Sequence, residues 1–549
     1  MKKIILKHAL LNAQDFEGKA NPKAVLGKVL AENSKLKKDI PKLMKDINEI
    51  VKKVNVMDVA EQKKEIKKFG KIVRPVKKQR EGLPELPNAK KGKVVTRFPP
   101  YPSGALHIGN MKPLLISYEY AKMYDGKFVV RIDDTDPDPT KVKKENVEYI
   151  KKDLQAMNVK PDKFYMVSSR FDRMYELAKQ LLKKGKAYTC TCPLVLSNKN
   201  KSSVGKIACE CRNNSVEDNL NIYEMMFKKL KQGDAVVRLK TDIADKNPAL
   251  RDPVMLRIKE GVNPTTGKEH RVYPVYNFST AIGDHDDGIT HILRGTEHAF
   301  NTIIQKYFYE AFGWKKLPTV INFGFLYMEG EKIHKRFIRD AIAKGKFTGW
   351  DDARLGQYGL VRALLKRGIQ PEAIKNMIIE MGVTPQTVRF KWDKLYTENR
   401  KLIDKKSNRY FFVSDPIEIK LDKVPMKETK APTYPGKKTY RKIPVAKKVY
   451  VDNLDFISNR EKEVRLMHLC NVYLDKSSKV VEDSIKNIPK IHWVSAKKVK
   501  VKLIMPDGKE MNGFAEPEIK KVKLGDTVQF ERIGFARLDK KNVYYYSHQ

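Results

Sequence analysis

The sequence is short of cysteine, of long apolar runs and of negative charge. Five cysteines in 549 residues cannot staple a chain of this length, so a disulfide-built secreted scaffold is excluded and a reducing cytoplasm is the expected home. No apolar stretch approaches the ~18 residues that a membrane span needs. The basic start, Met1–Ala20, lacks the continuous apolar core of a secretory signal. Acidic residues number 66 against 110 Lys+Arg, a formal net charge of +44. Such a charge repels itself and attracts polyanions over long range. Lys is spread from end to end rather than gathered in one amphipathic helix, so nucleic acid fits better than a membrane. A Lys-rich background of solvated surfaces is the alternative.

With 41 % hydrophobic residues, the chain can bury several cores, and its length suits three or four domains. Asn21 followed by Pro22 reads as a capped helix start, with Val25, Leu26, Val29 and Leu30 on one face. Leu43, Ile47, Ile50, Val51 and Val54 keep the 3–4 spacing of an amphipathic helix. The Pro- and Gly-containing stretch Glu81–Lys93 reads as a linker. From Lys93 to about Tyr327 strand-like and helix-like pieces alternate, which predicts an α/β domain. Val94-Val95 and Phe128–Ile132 are strand candidates there, with a helix near Ile108. Residues 188–265 are polar, hold all the cysteines but Cys470, and read as an insertion. Residues 330–400 return to helical periodicity. Beyond about Tyr410 the texture alternates and is β-branched, which predicts one or two barrels.

Two motifs suggest chemistry by their residues, and for the first an ordinary Pro-rich βα turn with a surface histidine is the alternative. In Arg97-Phe-Pro-Pro-Tyr-Pro-Ser-Gly-Ala-Leu-His107-Ile-Gly109-Asn110 a strand leads through a Pro/Gly loop into a helix start. A helix N-terminus with free N–H groups suits triphosphate. Gly109 lets a flat purine approach the backbone. His107 can donate to phosphate, and Arg97 can grip a carboxylate with two bonds. Cys190-x-Cys192 and Cys209-x-Cys211, separated by 16 residues, can place four thiolates on two hairpins around a structural Zn²⁺; four small core cysteines are the alternative.

RFPPYPSGALHIGN resembles the HIGH signature of class I aminoacyl-tRNA synthetases in its glutamyl/glutaminyl form. VVRIDDTDPDP (129–139), YPVYNFSTAIGDHDDGITHILRGTEH (273–298) and KGKFTGWDDARL (344–355) resemble later blocks of the same branch in the same order. NPKAVLGKVLAEN (21–33) is similar to the N-terminal extension of archaeal-type glutamyl-tRNA synthetases. NRKLID (399–404) and VQFERIGFARLD (528–539) are similar to that type's C-terminal region.

The resemblance implies a Rossmann-like α/β catalytic domain in two halves, 91–187 and 266–327, around an acceptor-stem-binding insertion at 188–265. A helical extension (1–90), a helical connecting domain with the KMSKS-like loop (328–405) and an all-β barrel anticodon-binding region (406–549) complete it. It implies ATP with Mg²⁺, L-glutamate and tRNA-Glu as substrates and no protein nucleophile, and it leaves open whether tRNA-Gln is a second acceptor. Lys332-Ile-His-Lys335-Arg336 stands where the family has KMSKS, with Lys335 at the phosphate lysine. Arg97, Tyr276 and Arg294 face the substrate's side-chain carboxylate in that alignment, and Asp133 accepts the α-amino group. Glutaminyl members carry a small uncharged residue where Arg294 stands.

His334, Arg336, Asn110 and Asn277 depart from the family pattern. The rival readings are a glutaminyl enzyme, which Arg294 opposes, and a catalytically weak tRNA-binding paralogue. Among the basic residues of Lys427–Lys448, Lys437, Lys438, Arg441 and Lys442 lie beside Tyr434 and Tyr440. Rings stack on unpaired bases while cations follow phosphates, so this stretch suits tRNA; a solvated basic loop is the alternative.

Overall fold

The structure, a computed structural model, describes residues 1–16, 18–33, 36, 39–70, 82–138, 142–192, 206–263, 265–328, 335–434 and 438–549. It divides into two compact units, Met1–Arg80 and Glu81–Gln549. No helix among the described residues is long and apolar enough to cross a membrane.

The first unit is helical: α1 (Lys2–Asp15), α2 (Pro22–Glu32), α3 (Ile40–Val56) and α4 (Val59–Lys67). Asn21 caps α2, its Oδ1 accepting from the Lys23 N–H at 2.9 Å. The stripe Leu43, Ile47, Ile50, Val51 and Val54 on α3 is buried against Ile5, Ala9, Leu10 and Ala13 of α1 and Val25 and Val29 of α2. Buried Gln62 donates to the carbonyls of Gly18 and Val54, satisfying backbone that the small core would strand.

In the second unit β1 (Val95–Phe98), β2 (Lys127–Ile132) and β3 (Lys163–Met166) form a parallel sheet in chain order. Crossover helices α5 (Ile108–Met123) and α6 (Lys144–Ala156) join them, as parallel pairing requires. An antiparallel four-stranded sheet follows: β4 (Ala187–Cys190), β5 (Val236–Leu239), β6 (Val254–Ile258) and β7 (Val272–Pro274). Helices α7 (Phe171–Lys183) and α8 (Val216–Lys228) pack on it. Helix α9 (Tyr276–Asp286) then leads to the parallel pair β8 (His291–Gly295) and β9 (Thr319–Phe323), which flank α10 (Ala299–Phe312). Thr290 joins β8 to β1 through its N–H to the Val95 carbonyl (3.0 Å).

The stretch expected as a linker packs instead. Leu86 is buried in the core beneath α5, its N–H donating to the Tyr124 hydroxyl (2.9 Å), and the Pro87 carbonyl accepts from His291.

After α11 (Lys335–Ala343) and further helices to Ile403, the chain forms two seven-stranded sheets. One runs from Arg409–Tyr410 at one edge to Phe412–Val413 at the other, so a single residue, Phe411, links its two edges. The second runs from Lys490–Ile491 to Trp493–Ser495, and His492 is its link. Each sheet therefore curls back on itself into a near-barrel.

Between them, Glu428–Pro432 and Tyr440–Pro444 form a hairpin. Strand alternation turns Arg441 inward and leaves Tyr440 and Lys442 outside. The Arg441 guanidinium is buried against Glu516 (2.9 Å) and Glu531 (2.6 Å), over the Phe411 ring. This corrects its expected place among tRNA-facing cations, because both of its acids are within the fold. Lys438 and Lys442 are exposed, with Lys442 3.4 Å from Glu428, whereas Lys437 lies outside the described residues. Arg441→Ala, which strands buried Glu516, is expected to cost about 3–5 kcal/mol in denaturant unfolding. Lys442→Ala is expected to stay within about 0.5 kcal/mol.

Candidate active site

A cavity of about 520 Å³ opens where β1, β2 and β8 end, α5 and α9 begin and the Phe98–Tyr101 loop turns. Arg97, His107, Gly109, Asn110, Asp133, Tyr276 and Arg294, scattered over nearly 200 residues of sequence, all line it. A larger cavity of about 650 Å³, between Leu402–Tyr410 and 518–528, gathers none of the seven.

The start of α5 differs from the expected open N-terminus. His107 is the N-cap, and its Nδ1 accepts from the Gly109 N–H (3.1 Å). The Ile108 N–H donates to the Gly359 carbonyl and that of Asn110 to the His107 carbonyl, both at 2.8 Å. Asn110 returns a capping bond, its Oδ1 accepting from the His107 N–H (3.2 Å). The backbone donors of the first turn are thus occupied. With Nδ1 held as an acceptor, a neutral His107 carries its proton on Nε2, which becomes the donor left for an anion. Burial, with the nearby Lys335 charge, pushes this imidazole down to about 3, so it is neutral at pH 7. A Cβ on Gly109 would stand 2.9 Å from the His107 ring. The glycine makes room for the histidine, a closer constraint than the purine approach expected from sequence.

Below the cavity lies a buried ion network. In the parallel register Arg97 on β1 stands opposite Val129 on β2, so Arg97 and Arg131 share one face of the sheet. Asp284, near the end of α9, accepts from Arg97 Nε (3.0 Å) and Nη2 (3.2 Å) and from Arg131 Nη2 (2.5 Å). Burial pushes the Asp284 carboxyl up, but the two guanidinium groups outweigh it and hold the acid below its ordinary range. Asp287 continues the network to Tyr165 (2.6 Å), Arg170 (2.8 Å) and Lys163 (2.9 Å).

Arg294, on β8, is buried too, yet no carboxylate forms an ion pair with it among the described residues. Its Nη1 donates to Gln305 Oε1 (3.1 Å) and its Nη2 to Thr302 Oγ1 (2.6 Å), while buried Nε lacks a hydrogen-bond partner. Burial, then the like charge of Arg97, lowers its affinity for a proton. The Tyr276 ring stands over that of His298, with centroids 5.8 Å apart. Asp133 holds its Oδ1 against the Thr135 hydroxyl (2.7 Å), and burial pushes its carboxyl up. The cavity therefore offers cationic guanidinium groups from β1 and β8 and an acid from the end of β2.

Lys335 does not line the cavity. It opens α11 and donates from Nζ to the Gly104 carbonyl (3.5 Å), and burial pushes its amine down to about 8 against the pull of Asp153. Arg336 is exposed and 3.9 Å from Asp340, and Lys332 lies outside the described residues. The four cysteines converge: Cys190 ends β4 and Cys209 caps a short 3₁₀ turn. The thiols are free, with Cys190 Sγ 3.7 Å from Cys209 Sγ, Cys192 Sγ 3.6 Å from Cys211 Sγ, and all four within 4.8 Å. A tetrahedral ion with Zn–S bonds of about 2.3 Å needs sulfur separations of about 3.8 Å, so this donor set fits Zn²⁺.

Sequence reasoning missed Asp284, Lys112 and Gln305. The signal for Asp284 lay in Arg97 and Arg131 themselves, since a cation inside a buried strand requires an acid. Lys112 is buried on α5 and lines the cavity, donating to the Gly324 carbonyl (2.9 Å) over the Phe323 ring; burial pushes its amine down to about 8.

The family described as "tRNA synthetases class I (E and Q), catalytic domain" matches residues 93–405. Two descriptions of that family's anti-codon binding domain match 407–493 and 490–539. The chain is 42 % identical over 581 residues to a glutamate–tRNA ligase of Pyrococcus furiosus, covering 100 % of both chains. It is 39 % identical over 559 residues to one of Methanocaldococcus jannaschii, covering 99 % of this chain and 98 % of that one. A crystal structure of a glutamate tRNA ligase from Elizabethkingia meningosepticum is similar at 22 % identity and a TM-score of 0.41, covering 57 % of this chain and 71 % of that chain. The match over 93–405 and the full-length relatives agree, and the chain belongs to the class I tRNA synthetases of the E and Q family.

Proposed function

We propose that the chain is a glutamate–tRNA ligase of the cytoplasm. L-Glutamate and ATP, the latter as its Mg²⁺ complex, meet in the cavity. The glutamate α-carboxylate attacks the α-phosphorus, giving glutamyl-adenylate and pyrophosphate. The 2′-OH of the terminal adenosine of tRNA-Glu then takes the acyl group and releases AMP. Full-length similarity to proteins named glutamate–tRNA ligase supports the reaction class.

The observation that carries the amino-acid choice is Arg294, a buried guanidinium in the cavity wall held only by uncharged groups. A γ-carboxylate compensates that charge, whereas the amide of glutamine leaves it uncompensated in a dry site. Such a polar mismatch gives discrimination of roughly 10⁴–10⁵. Arg97, fixed by Asp284, and Tyr276 complete the carboxylate side, and Asp133 receives the α-ammonium group. His107 donates from Nε2 to a phosphate oxygen while Asn110 holds the helix start in shape. Lys335, beside the Gly104 carbonyl, supplies charge to the departing pyrophosphate together with Lys332 and Arg336. With no protein nucleophile, the rate enhancement comes from orientation and charge stabilisation.

Cys190, Cys192, Cys209 and Cys211 would hold Zn²⁺, which supplies a structural cross-link to the insertion. Exposed Lys438 and Lys442, with Lys437, offer cations to tRNA. Contacts of this kind make binding fall steeply with salt.

Charging assays with labelled glutamate and glutamine on tRNA-Glu and tRNA-Gln test the proposal. Glutamate is expected on tRNA-Glu, and the tRNA-Gln arm decides whether that tRNA is a second acceptor. Charging with glutamine instead would identify a glutaminyl enzyme, and charging with neither would leave only a tRNA-binding protein. Arg294→Ala is expected to lower kcat/KM for glutamate by about a hundredfold or more, with tRNA affinity in filter binding unchanged. Mass spectrometry of the native protein is expected to find about one zinc per chain, and a strong chelator to lower its melting temperature.

A further inference from the structure

A file of uncharged amides links Arg294 to His298, both in the cavity lining. Gln305 accepts from Arg294 Nη1 (3.1 Å) and donates from Nε2 to Asn277 Oδ1 (3.2 Å). Asn277 Nδ2 donates to Asn301 Oδ1 (3.1 Å), and Asn301 Nδ2 meets His298 Nδ1 at 3.0 Å. A guanidinium can only donate, so the direction of the whole file is set at Arg294. Gln305 must present oxygen to it, each following amide is oriented in turn, and His298 Nδ1 must accept. The proton of a neutral His298 then sits on Nε2. Burial lowers this imidazole's affinity for a proton against the pull of Glu297, and the charges of Arg294 and Arg97 act in the same direction as burial.

The file matters for what it withholds. Asp284, the acid whose charge reaches Arg294, is already shared by Arg97 and Arg131. Gln305 is itself buried, and a carboxylate in its place would stand at hydrogen-bond distance from Arg294 and neutralise it. We propose that Gln305 is a specificity-determining positioning residue: its neutral amide fixes the Arg294 guanidinium while leaving that charge for the side-chain carboxylate of the substrate. This rests on the reading of the cavity as a glutamate site.

The test is steady-state aminoacylation by wild type, Gln305→Glu and Gln305→Met. Wild-type protein that fails to charge glutamate overturns the glutamate reading itself, before any variant is compared. Where wild type charges glutamate, Gln305→Glu is expected to raise KM for glutamate by about tenfold or more, with kcat and KM for ATP changed little, and to narrow the preference over glutamine. Gln305→Met removes the same hydrogen bonds without adding charge and is expected to raise KM much less. Equal rises in the two variants would mean that Gln305 only supports packing, and no rise in Gln305→Glu would mean that its neutrality is irrelevant; either result overturns the proposal. Should circular dichroism show Gln305→Glu unfolded, Thr302→Asp sets a carboxylate beside Arg294 Nη2. The same selective rise in KM is then required, and its absence overturns the proposal.

Discussion

Asp284 holds two buried guanidinium groups together, and the geometry of the cavity follows from that pairing. Arg97 and Arg131 come from adjacent parallel strands, while the acid comes from a helix more than 150 residues further along the chain. Removing the acid would strand the buried Arg97 guanidinium and leave Arg131 only its longer 3.4 Å contact with Asp287, a far larger penalty than losing one surface pair. The bond also sets how closely α9 approaches the sheet: a Cβ on Gly283 would run into the Arg131 guanidinium. Because Tyr276 opens the same helix, the ion network at its end bears on where that ring stands at the cavity wall.

The charges of the cavity are sorted by solvation rather than by count. Asp284 and Asp287 are satisfied by the arginines around them, so they anchor and are not free to bind. Arg294 and Asp133 are hydrogen-bonded to uncharged partners, and burial works against the charged form of each. Both Arg294 and Asp133 line the same cavity. Burial sharpens this arrangement, since electrostatic differences that water would screen become decisive in a dry site.

Local periodicity made much of the fold legible in the sequence. The α3 stripe, the Asn21 cap, the strands at 95–98 and 127–132 and the α5 start could be read because each depends on neighbours within a few residues. Leu86 was hidden because a Pro- and Gly-rich composition says nothing of where one apolar side chain docks. Arg441 was misplaced because a run of basic residues looks uniform until strand alternation turns one of them inward. The seven cavity residues were legible through family motifs, but their supports were not. Asp284, Gln305 and the capping role of Asn110 depend on partners that only the folded chain brings near.

The two near-barrels are nested. Residues 416–495 supply all the strands of one, and they lie wholly between the pieces 409–413 and 499–546 that build the other. During synthesis the inner barrel can close as soon as its strands have emerged. The outer barrel must wait for its last strand, Val543–Tyr546, with only the edge segments at Arg409–Val413 already in hand. The final residues then join it to the helices: Arg367 donates to the carbonyls of Tyr546 (2.8 Å) and Ser547 (3.0 Å), and His548 meets Asn399 at 2.9 Å. Residues 546–548 are thus a latch that ties the outer barrel to the helices, and that barrel draws its strands from both sides of the inner one.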